Sequence, residues 1–130
     1  VYSELRIVTS EAPIVISSQI PKGEAHVLIA LEPWEALRFA NYCSQKTKLI
    51  VNTDIELLFV ERYVSSSISN PVEQLKTLFR DPILNDYSSL SRELTGSEKS
   101  ANTLILRDAI RHQLLPFAFT DIETLKEYYE

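Results

Sequence analysis

The chain has 130 residues, 45% of them hydrophobic and 24% charged, which is the composition of one globular domain with a core large enough to need no disulfides. Eighteen acidic and thirteen basic residues leave a net charge of −5, and this acidic balance argues against a nucleic-acid partner because it repels phosphate backbones. No apolar run reaches the ~20 residues of a membrane-spanning helix. The single Cys43 excludes an internal disulfide or a multi-thiolate metal centre. From these features we expect a cytoplasmic protein.

The N-terminal residues and the glycines of the chain bear on two predictions, its extent and its capacity to form a phosphate-binding loop. The chain contains no methionine, and Tyr2 to Val8 already has the pattern of a strand, so we expect a piece of a longer protein. Gly23 and Gly96 are the only glycines and lie far apart. These residues therefore contain no Gly-rich phosphate loop of the dinucleotide or Walker type.

Two short β-type runs open the chain. Val1–Val8 and Pro13–Ser18 both alternate apolar and polar residues, which is the period of a half-exposed strand. The four residues between them suit a turn. The pattern therefore predicts an N-terminal β-hairpin.

A strand, a helix and a second strand follow within about thirty residues. His26–Leu31 is an almost unbroken apolar run, which is typical of a strand covered on both faces. Pro33 suits the first turn of a helix, predicted to continue to Cys43 on the helical spacing of its apolar residues. Lys48–Val51 is a second buried-strand pattern. The three elements predict a βαβ unit with parallel strands.

The second half of the chain contains weaker patterns. Asp54–Ser69 fits a strand or a short helix followed by a loop, and we leave both open. Pro71 opens a predicted helix, and Ile83–Leu84 is a candidate short strand. A further helix is predicted over Ser88–Leu94, where Gly96 would stop it.

The strongest helical pattern begins after Ser97, a predicted N-cap, and is expected to run until Pro116 ends it. Thr120–Glu123 has the spacing of a capping box, so a last short helix is predicted up to Tyr128. Together the elements predict an α/β fold in one domain over residues 1–130. Its sheet is Rossmann-like, mostly parallel and flanked by helices, with the β-hairpin at the N-terminus.

Polar residues follow both strands of the βαβ unit. Glu32 comes where the first strand ends, and Asn52 and Thr53 come where the second ends. Ligands of open α/β sheets bind outside the carboxyl ends of the strands, so these residues are candidates for a ligand or subunit crevice. The structural alternative is that Glu32 caps the following helix while Asn52 and Thr53 form a turn.

Other candidates also have two interpretations. Glu35 lies at the same helix start, but it is three residues from Arg38 and suits a solvated ion pair worth only ~0.2–0.5 kcal/mol. Trp34 is either a partner anchor or, as we favour, packs the helix on the sheet. Asn102 could reach a ligand or hydrogen-bond at a helix start. The crevice candidates are Glu32, Pro33, Glu35, Asn52, Thr53 and Asn102, and no catalytic or metal-binding residue is predicted.

Two reactive residue types are predicted to have no chemical role. His26 has no carboxylate or cysteine at ligand spacing and suits the surface. Cys43 has no base beside it in the sequence and suits a small buried position.

The segment Pro21–Arg38, PKGEAHVLIALEPWEALR, is similar to a segment of a known family. It resembles the pattern P-x-G-E-A-D-V-L-L-A-L-E-P-L-E-A-L-R of the gamma-type domain of the 2-oxoacid:ferredoxin oxidoreductases, which include the pyruvate, 2-oxoglutarate, ketoisovalerate and indolepyruvate enzymes. Ile50–Thr53 resembles the family's V-I-V-N-T, and Asn102 with Leu115–Phe117 resembles its closing helix. The resemblance covers most of the chain.

The chain also departs from the family pattern. The family's first strand, G-x-G-G-Q-G turn and helix are not among these residues, so the chain resembles the C-terminal two-thirds of the domain. His26 stands where the family usually has Asp, and Arg107 stands where it usually has Gly. A bulky arginine at that position is expected to prevent close packing of its helix.

The resemblance implies an accessory component of an enzyme that oxidatively decarboxylates a 2-oxoacid to an acyl-CoA and passes electrons to ferredoxin. It implies thiamine diphosphate, CoA and iron–sulfur clusters in the complex, none of them bound by this chain alone. The implied partners are thiamine-diphosphate-binding subunits, with ferredoxin as an indirect partner. An alternative from another class is a non-catalytic interaction or regulatory module that keeps the fold but not the ligand site, which Arg107 and the missing glycines favour.

Overall fold

Three parallel strands lie at the centre of the molecule. The computed structural model describes residues 19–55 and 70–115. Strands β1 (Val27–Ala30), β2 (Lys48–Asn52) and β3 (Ile83–Asn85) lie in the order β1-β2-β3, and all are parallel. The predicted α/β fold with a parallel sheet is confirmed. The predicted β-hairpin, residues 56–69 of the undecided stretch Asp54–Ser69, and the last predicted helix lie outside the described residues.

Helices cover both faces of this sheet. They are α1 (Pro33–Arg38), α2 (Pro71–Leu78), α3 (Tyr87–Thr95) and α4 (Ala101–Arg111). Because successive strand residues point to opposite faces, each strand contributes to two separate cores. This double coverage explains why the strand patterns are continuous apolar runs rather than alternating ones. None of the described helices is long and apolar enough to span a membrane.

The two cores can be followed along β2. Leu49 and Val51 pack with Ala36 of α1 and with Leu75 and Phe79, which lie in and just after α2. Ile50, which points the other way, packs in a cluster whose other buried members are Tyr87, Ala101, Leu104, Ile105 and Ala109. Helices α1 and α2 therefore form one layer, and α4 with the start of α3 forms the other.

The first helix is shorter than predicted. Helix α1 ends at Arg38, and a separate 3₁₀ turn over Ala40–Tyr42 replaces its predicted continuation to Cys43. The backbone carbonyls of Asn41 and Tyr42 accept hydrogen bonds from Gly23 N (3.2 Å) and Ala25 N (2.9 Å), in the segment before β1. These long-range bonds engage carbonyls at the end of the predicted helix, and local periodicity does not reveal them.

Helix α4 is also shorter than predicted at both ends. Ser97 caps a 3₁₀ turn over Glu98–Ser100, and the α-helix begins only at Ala101. It ends at Arg111, because Gln113 has a left-handed backbone (φ 56°), with Gln113 N donating to Ile110 O and Leu114 N donating to Ala109 O. This bonding pattern is a Schellman motif, and it ends the helix before Pro116 is reached.

Arg107 does not obstruct packing, contrary to the expectation from the sequence. Helix α4 packs through Leu104, Ile105 and Ala109, all buried. Arg107 lies outside that buried stripe and pairs with Asp108 at 3.3 Å. A large side chain is tolerated there because the contact stripe of the helix lies elsewhere on its surface.

Gly96 ends α3 as predicted, in a left-handed conformation with φ 74°. Gly96→Ala is expected to lower the free energy of unfolding by about 1 kcal/mol, because the left-handed backbone conformation is unfavourable for alanine. No atom lies within 4 Å of the added Cβ, so the loss reflects backbone strain alone. Urea denaturation checks this, with Gly96→Asn as the control, since asparagine tolerates the conformation better. An Ala variant as stable as the wild type would contradict the expectation.

Candidate functional site

The parallel register brings the predicted crevice residues of β1 and β2 to one edge. Ala30 pairs with Val51, so Glu32 and Thr53 each lie two residues beyond the same rung. Thr53 N donates to Asn85 O (2.9 Å), which extends the ladder to the end of β3. We call this end of the sheet the carboxyl edge, formed by the residues that follow the three strands.

Glu32 is the N-cap of α1. Its backbone is extended, and its Oε2 accepts a hydrogen bond from Glu35 N at 2.9 Å. Pro33 occupies the first helical position and is buried. The structural interpretation of Glu32 therefore holds for one of its two carboxylate oxygens.

The other oxygen of Glu32 receives no hydrogen bond from the described part of the chain. Its Oε1 is buried and lacks a hydrogen-bond partner among the described residues, and so does the indole Nε1 of Trp34 two residues later. A buried polar atom left unpaired costs about 1–3 kcal/mol, and a buried tryptophan N–H usually finds an acceptor. One acceptor and one donor around the start of α1 are thus without a partner in residues 19–55 and 70–115.

Glu35 forms the solvated ion pair with Arg38 that was the structural alternative to a crevice role. Its Oε1 accepts a hydrogen bond from Arg38 Nη1 at 3.0 Å, and both side chains are exposed. Pairs of this kind contribute little to stability, because water competes for both charges. Glu35 lies near the carboxyl edge but is already engaged with its own helix.

Asn52 is buried, and both ends of its amide form hydrogen bonds within the fold. Its Nδ2 donates to Ser88 Oγ (3.0 Å), while its Oδ1 accepts from Tyr87 N (3.0 Å) and from Asp54 N (3.2 Å). The side chain therefore ties the end of β2 to the start of α3. This is a more extensive structural role than the turn predicted from the sequence.

Asn102 takes no part in the hydrogen bonds that Asn52 forms. It is exposed in the first turn of α4, and in the described ranges no hydrogen bond joins its side chain to Glu32, Asn52 or Thr53. The structure thus gathers five of the six crevice candidates at the carboxyl edge and leaves Asn102 without a bond to them.

The remaining single-residue predictions fall on nearby elements. His26 is exposed, as predicted. Cys43 is half-buried, its Sγ lies 3.7 Å from Phe39 O, and burial raises the pKa of its thiol. Trp34 is half-buried, which is intermediate between an exposed partner anchor and a residue that packs the helix on the sheet.

The sequence analysis missed a polar group at the end of β3. Asp86 caps α3 by accepting from Ser89 N (2.8 Å), and hydrogen bonds from Ser89 hold the pKa of its carboxyl below the usual range. Tyr87 Oη donates to Asp108 Oδ2 of α4 at 2.9 Å. The sequence contained a signal for this group. The polar pair Asn85-Asp86 directly follows the apolar pair Ile83–Leu84, and this change from apolar to polar residues marks the end of a third strand.

Burial, together with the hydrogen bond to Asp108, raises the pKa of Tyr87 to about 12. The folded state thus holds the phenolic proton more tightly than the unfolded chain, whose tyrosines titrate near pH ~10. The stability that this group contributes is complete below pH ~10 and is lost as the pH rises towards 12.

Tyr87→Phe tests this pH dependence. At neutral pH the variant is expected to lose about 1–2 kcal/mol, because the hydroxyl bond to the Asp108 carboxylate is gone. The stability gap between wild type and variant should be constant up to about pH 10 and narrow as the pH rises towards 12, because only the wild type carries this titrating phenol. Urea unfolding at a series of pH values measures the gap, and a constant gap would contradict the assignment.

The carboxyl edge is acidic. Glu32, Asp54 and Asp86 follow the three strands, and the nearby Arg92 is paired with Glu98. CoA and thiamine diphosphate both carry anionic diphosphates, which this charge repels. The charge of the described edge therefore disfavours a phosphate-bearing ligand and suits hydrogen-bond donors or cations of a protein better. Among the described residues, no group of three or more His, Cys, Asp or Glu side chains could hold a metal ion.

The chain is similar to one characterised type of oxidoreductase subunit. It is 47% identical over 115 residues to the indolepyruvate oxidoreductase subunit IorB of Archaeoglobus fulgidus, and the match takes in 80% of this chain and 53% of that protein. The chain thus spans about half the length of the curated relative that it matches. No family model and no solved structure matches.

Proposed function

We propose that this chain is the gamma-type part of a 2-oxoacid:ferredoxin oxidoreductase that acts on indolepyruvate. The observation that carries the proposal is the 47% identity to a subunit of an indolepyruvate oxidoreductase. The parallel α/β fold and the E-P-W-E-A-L-R segment at the start of α1 support it. The enzyme would convert the 2-oxoacid oxidatively to an acyl-CoA and pass the electrons to ferredoxin in the cytoplasm.

In this proposal the chain is an accessory part and supplies contacts rather than chemistry. Thiamine diphosphate, when bound by a partner subunit, supplies the site of decarboxylation, and iron–sulfur clusters elsewhere in the complex carry the electrons. The acidic carboxyl edge supports this division, because it does not fit the diphosphate groups of thiamine diphosphate or CoA.

The contact to the thiamine-diphosphate-binding subunit would be made at the start of α1. Glu32 Oε1 would accept a hydrogen bond from a cationic or amide group of that subunit, and Trp34 Nε1 would donate one. Such a contact supplies partners to two buried atoms that have none within the described ranges, so it is favourable beyond the area that it covers. Pro33 and the cap bond from Glu35 N hold Glu32 in place for it.

A substrate panel tests the activity. The purified enzyme that contains this protein is given indolepyruvate, pyruvate, 2-oxoglutarate or ketoisovalerate with CoA, and reduction of a viologen dye is followed. We expect the fastest reduction with indolepyruvate. Faster reduction with another 2-oxoacid would overturn the substrate while leaving the enzyme family in place, and reduction with none of them would overturn the proposed reaction.

The acidic edge also favours a second candidate, a non-catalytic interaction or regulatory module that keeps the fold without a ligand site. CoA titration into the full-length protein, followed by calorimetry, separates it from a CoA-binding subunit. We expect no heat of binding, in agreement with the charge of the carboxyl edge. Saturable binding that Glu32→Gln weakens would show that this edge holds a ligand.

A further inference from the structure

An exposed aromatic pair lies at the opposite end of the sheet. Phe39 and Tyr42, at the end of α1 and in the turn after it, have side chains that are 40% and 37% exposed and ring centroids 6.1 Å apart. Two exposed aromatic rings in contact are typical of protein interaction surfaces, because they offer a large contact area at low entropic cost.

The backbone under these rings is firmly held. Phe39 N donates to Glu35 O, Tyr42 N to Phe39 O, and Ala25 N to Tyr42 O, all between 2.9 and 3.2 Å. On the inner side, Ala40 and Cys43 pack against the core that contains Leu75 and Phe79. The aromatic pair is thus presented rigidly, as a binding anchor needs to be.

Exposed apolar and cationic residues lie at the same end of the sheet. Leu78, at the end of α2, is 53% exposed, and Arg80 follows Phe79. Lys22 precedes Gly23, whose N–H bonds to Asn41 O, and Lys46 lies in the turn that leads from Cys43 into β2. We call this set the amino-edge surface: Lys22, Phe39, Tyr42, Lys46, Leu78 and Arg80.

The charge of this end differs from that of the rest of the chain. Among the described residues, the cations Lys22, Lys46 and Arg80 form no salt bridge, whereas ion pairs engage Arg38, Lys76, Arg92, Arg107 and Arg111. Among the described residues, Lys48 at the start of β2 is a fourth cation without a salt bridge, and the carboxylates before the strands are Glu24 and Asp81. The described residues that directly precede the three strands therefore carry an excess of positive charge, although the whole chain carries −5.

We propose that the amino-edge surface docks an acidic segment of a partner protein, with the aromatic pair packing against an apolar residue of that segment. Charge complementarity selects this occupant, because unpaired cations around apolar rings match carboxylates flanking an apolar side chain. A nucleic acid is the weaker fit, since few cations gather here and the remaining surface repels phosphates. A second copy of this chain, offering its acidic carboxyl edge, is the other occupant to test.

This surface lies at the opposite end of the sheet from the proposed contact at Glu32, so the two proposals fail separately. The probe is a fluorescein-labelled synthetic peptide of Asp and Glu residues with one Leu and one Phe, titrated into the full-length protein and followed by anisotropy. We expect saturable binding that weakens as salt is raised, and amide shifts in ¹⁵N spectra confined to the segments around Lys22, Tyr42 and Arg80.

Variants decide whether the amino-edge surface is the one used. Tyr42→Ala is expected to weaken peptide binding about tenfold, as for an aromatic anchor. Lys46→Glu should weaken it several-fold without affecting folding, because Lys46 is exposed and forms no salt bridge with another described residue. Lys99→Glu, a matched change at an exposed lysine in the opposite layer, should leave binding unchanged.

Three results would overturn the proposal. They are no binding of the acidic peptide, equal binding of a peptide with Lys in place of Asp and Glu, and tighter binding of a single-stranded oligonucleotide. Concentration-dependent self-association that Lys46→Glu abolishes would instead identify a second copy as the occupant.

Discussion

Asn52→Ala is expected to lower the free energy of unfolding by about 2–4 kcal/mol, because a buried group that loses its partner pays the full desolvation cost. Three bonds are lost: those from Tyr87 N and Asp54 N to Oδ1, and that from Nδ2 to Ser88 Oγ. Tyr87 is fully buried, so its N–H gains no water in compensation. In thermal unfolding the change corresponds to a midpoint lower by about 10 °C.

Asn102→Ala is the matched control for this change. Asn102 is exposed in the first turn of α4, so the same substitution there should alter stability by no more than about 0.5 kcal/mol. Equal stability of the two variants would show that Asn52 does not tie β2 to α3. Ser88→Ala is expected to lie between them, because it leaves only Nδ2 without its acceptor.

The second large effect concerns Glu32 in the proposed complex with a thiamine-diphosphate-binding subunit. Glu32→Lys is expected to weaken binding to the thiamine-diphosphate-binding subunit about 100-fold, the scale of removing one partner of a buried charged pair. Its cause is the loss of Oε1, the buried acceptor that has no donor among the described residues. Surface plasmon resonance with the purified partner subunit measures the change.

Glu32→Asp separates binding from folding. Aspartate is a good N-cap, so α1 should keep its capping bond and the chain its stability within about 0.5 kcal/mol. The shorter side chain nevertheless withdraws the second oxygen from the proposed contact, so the affinity should still fall about tenfold. Glu35→Gln, which changes an exposed ion pair on the same turn, should have no effect. Wild-type affinity of Glu32→Asp would contradict the proposed contact.

The sequence predicted the elements whose signals are local. Continuous apolar runs indicated β1 and β2, Pro33 and Pro71 indicated the starts of two helices, and Gly96 indicated the end of a third. Parallel pairing then followed from the βαβ order, and with it the meeting of Glu32 and Thr53 at one edge. Each of these features depends on residue type and period alone.

What the sequence did not predict depends on bonds between distant residues. Helix α1 ends early because carbonyls after it bond to the segment before β1, and Asn52 is engaged by Tyr87, 35 positions later. The unpaired Oε1 of Glu32 is likewise invisible to periodicity, since it follows from what packs around the first turn of α1. Such features need coordinates because they arise from packing rather than from local preference.

The most direct test is to isolate the full-length protein that contains this chain through an affinity tag and to determine by native mass spectrometry what accompanies it. We expect an assembly with a thiamine-diphosphate-binding subunit and iron–sulfur clusters, which reduces a viologen dye when given indolepyruvate and CoA. Recovery of the tagged protein alone, while an intact and active indolepyruvate oxidoreductase is purified without it, would contradict the proposed role.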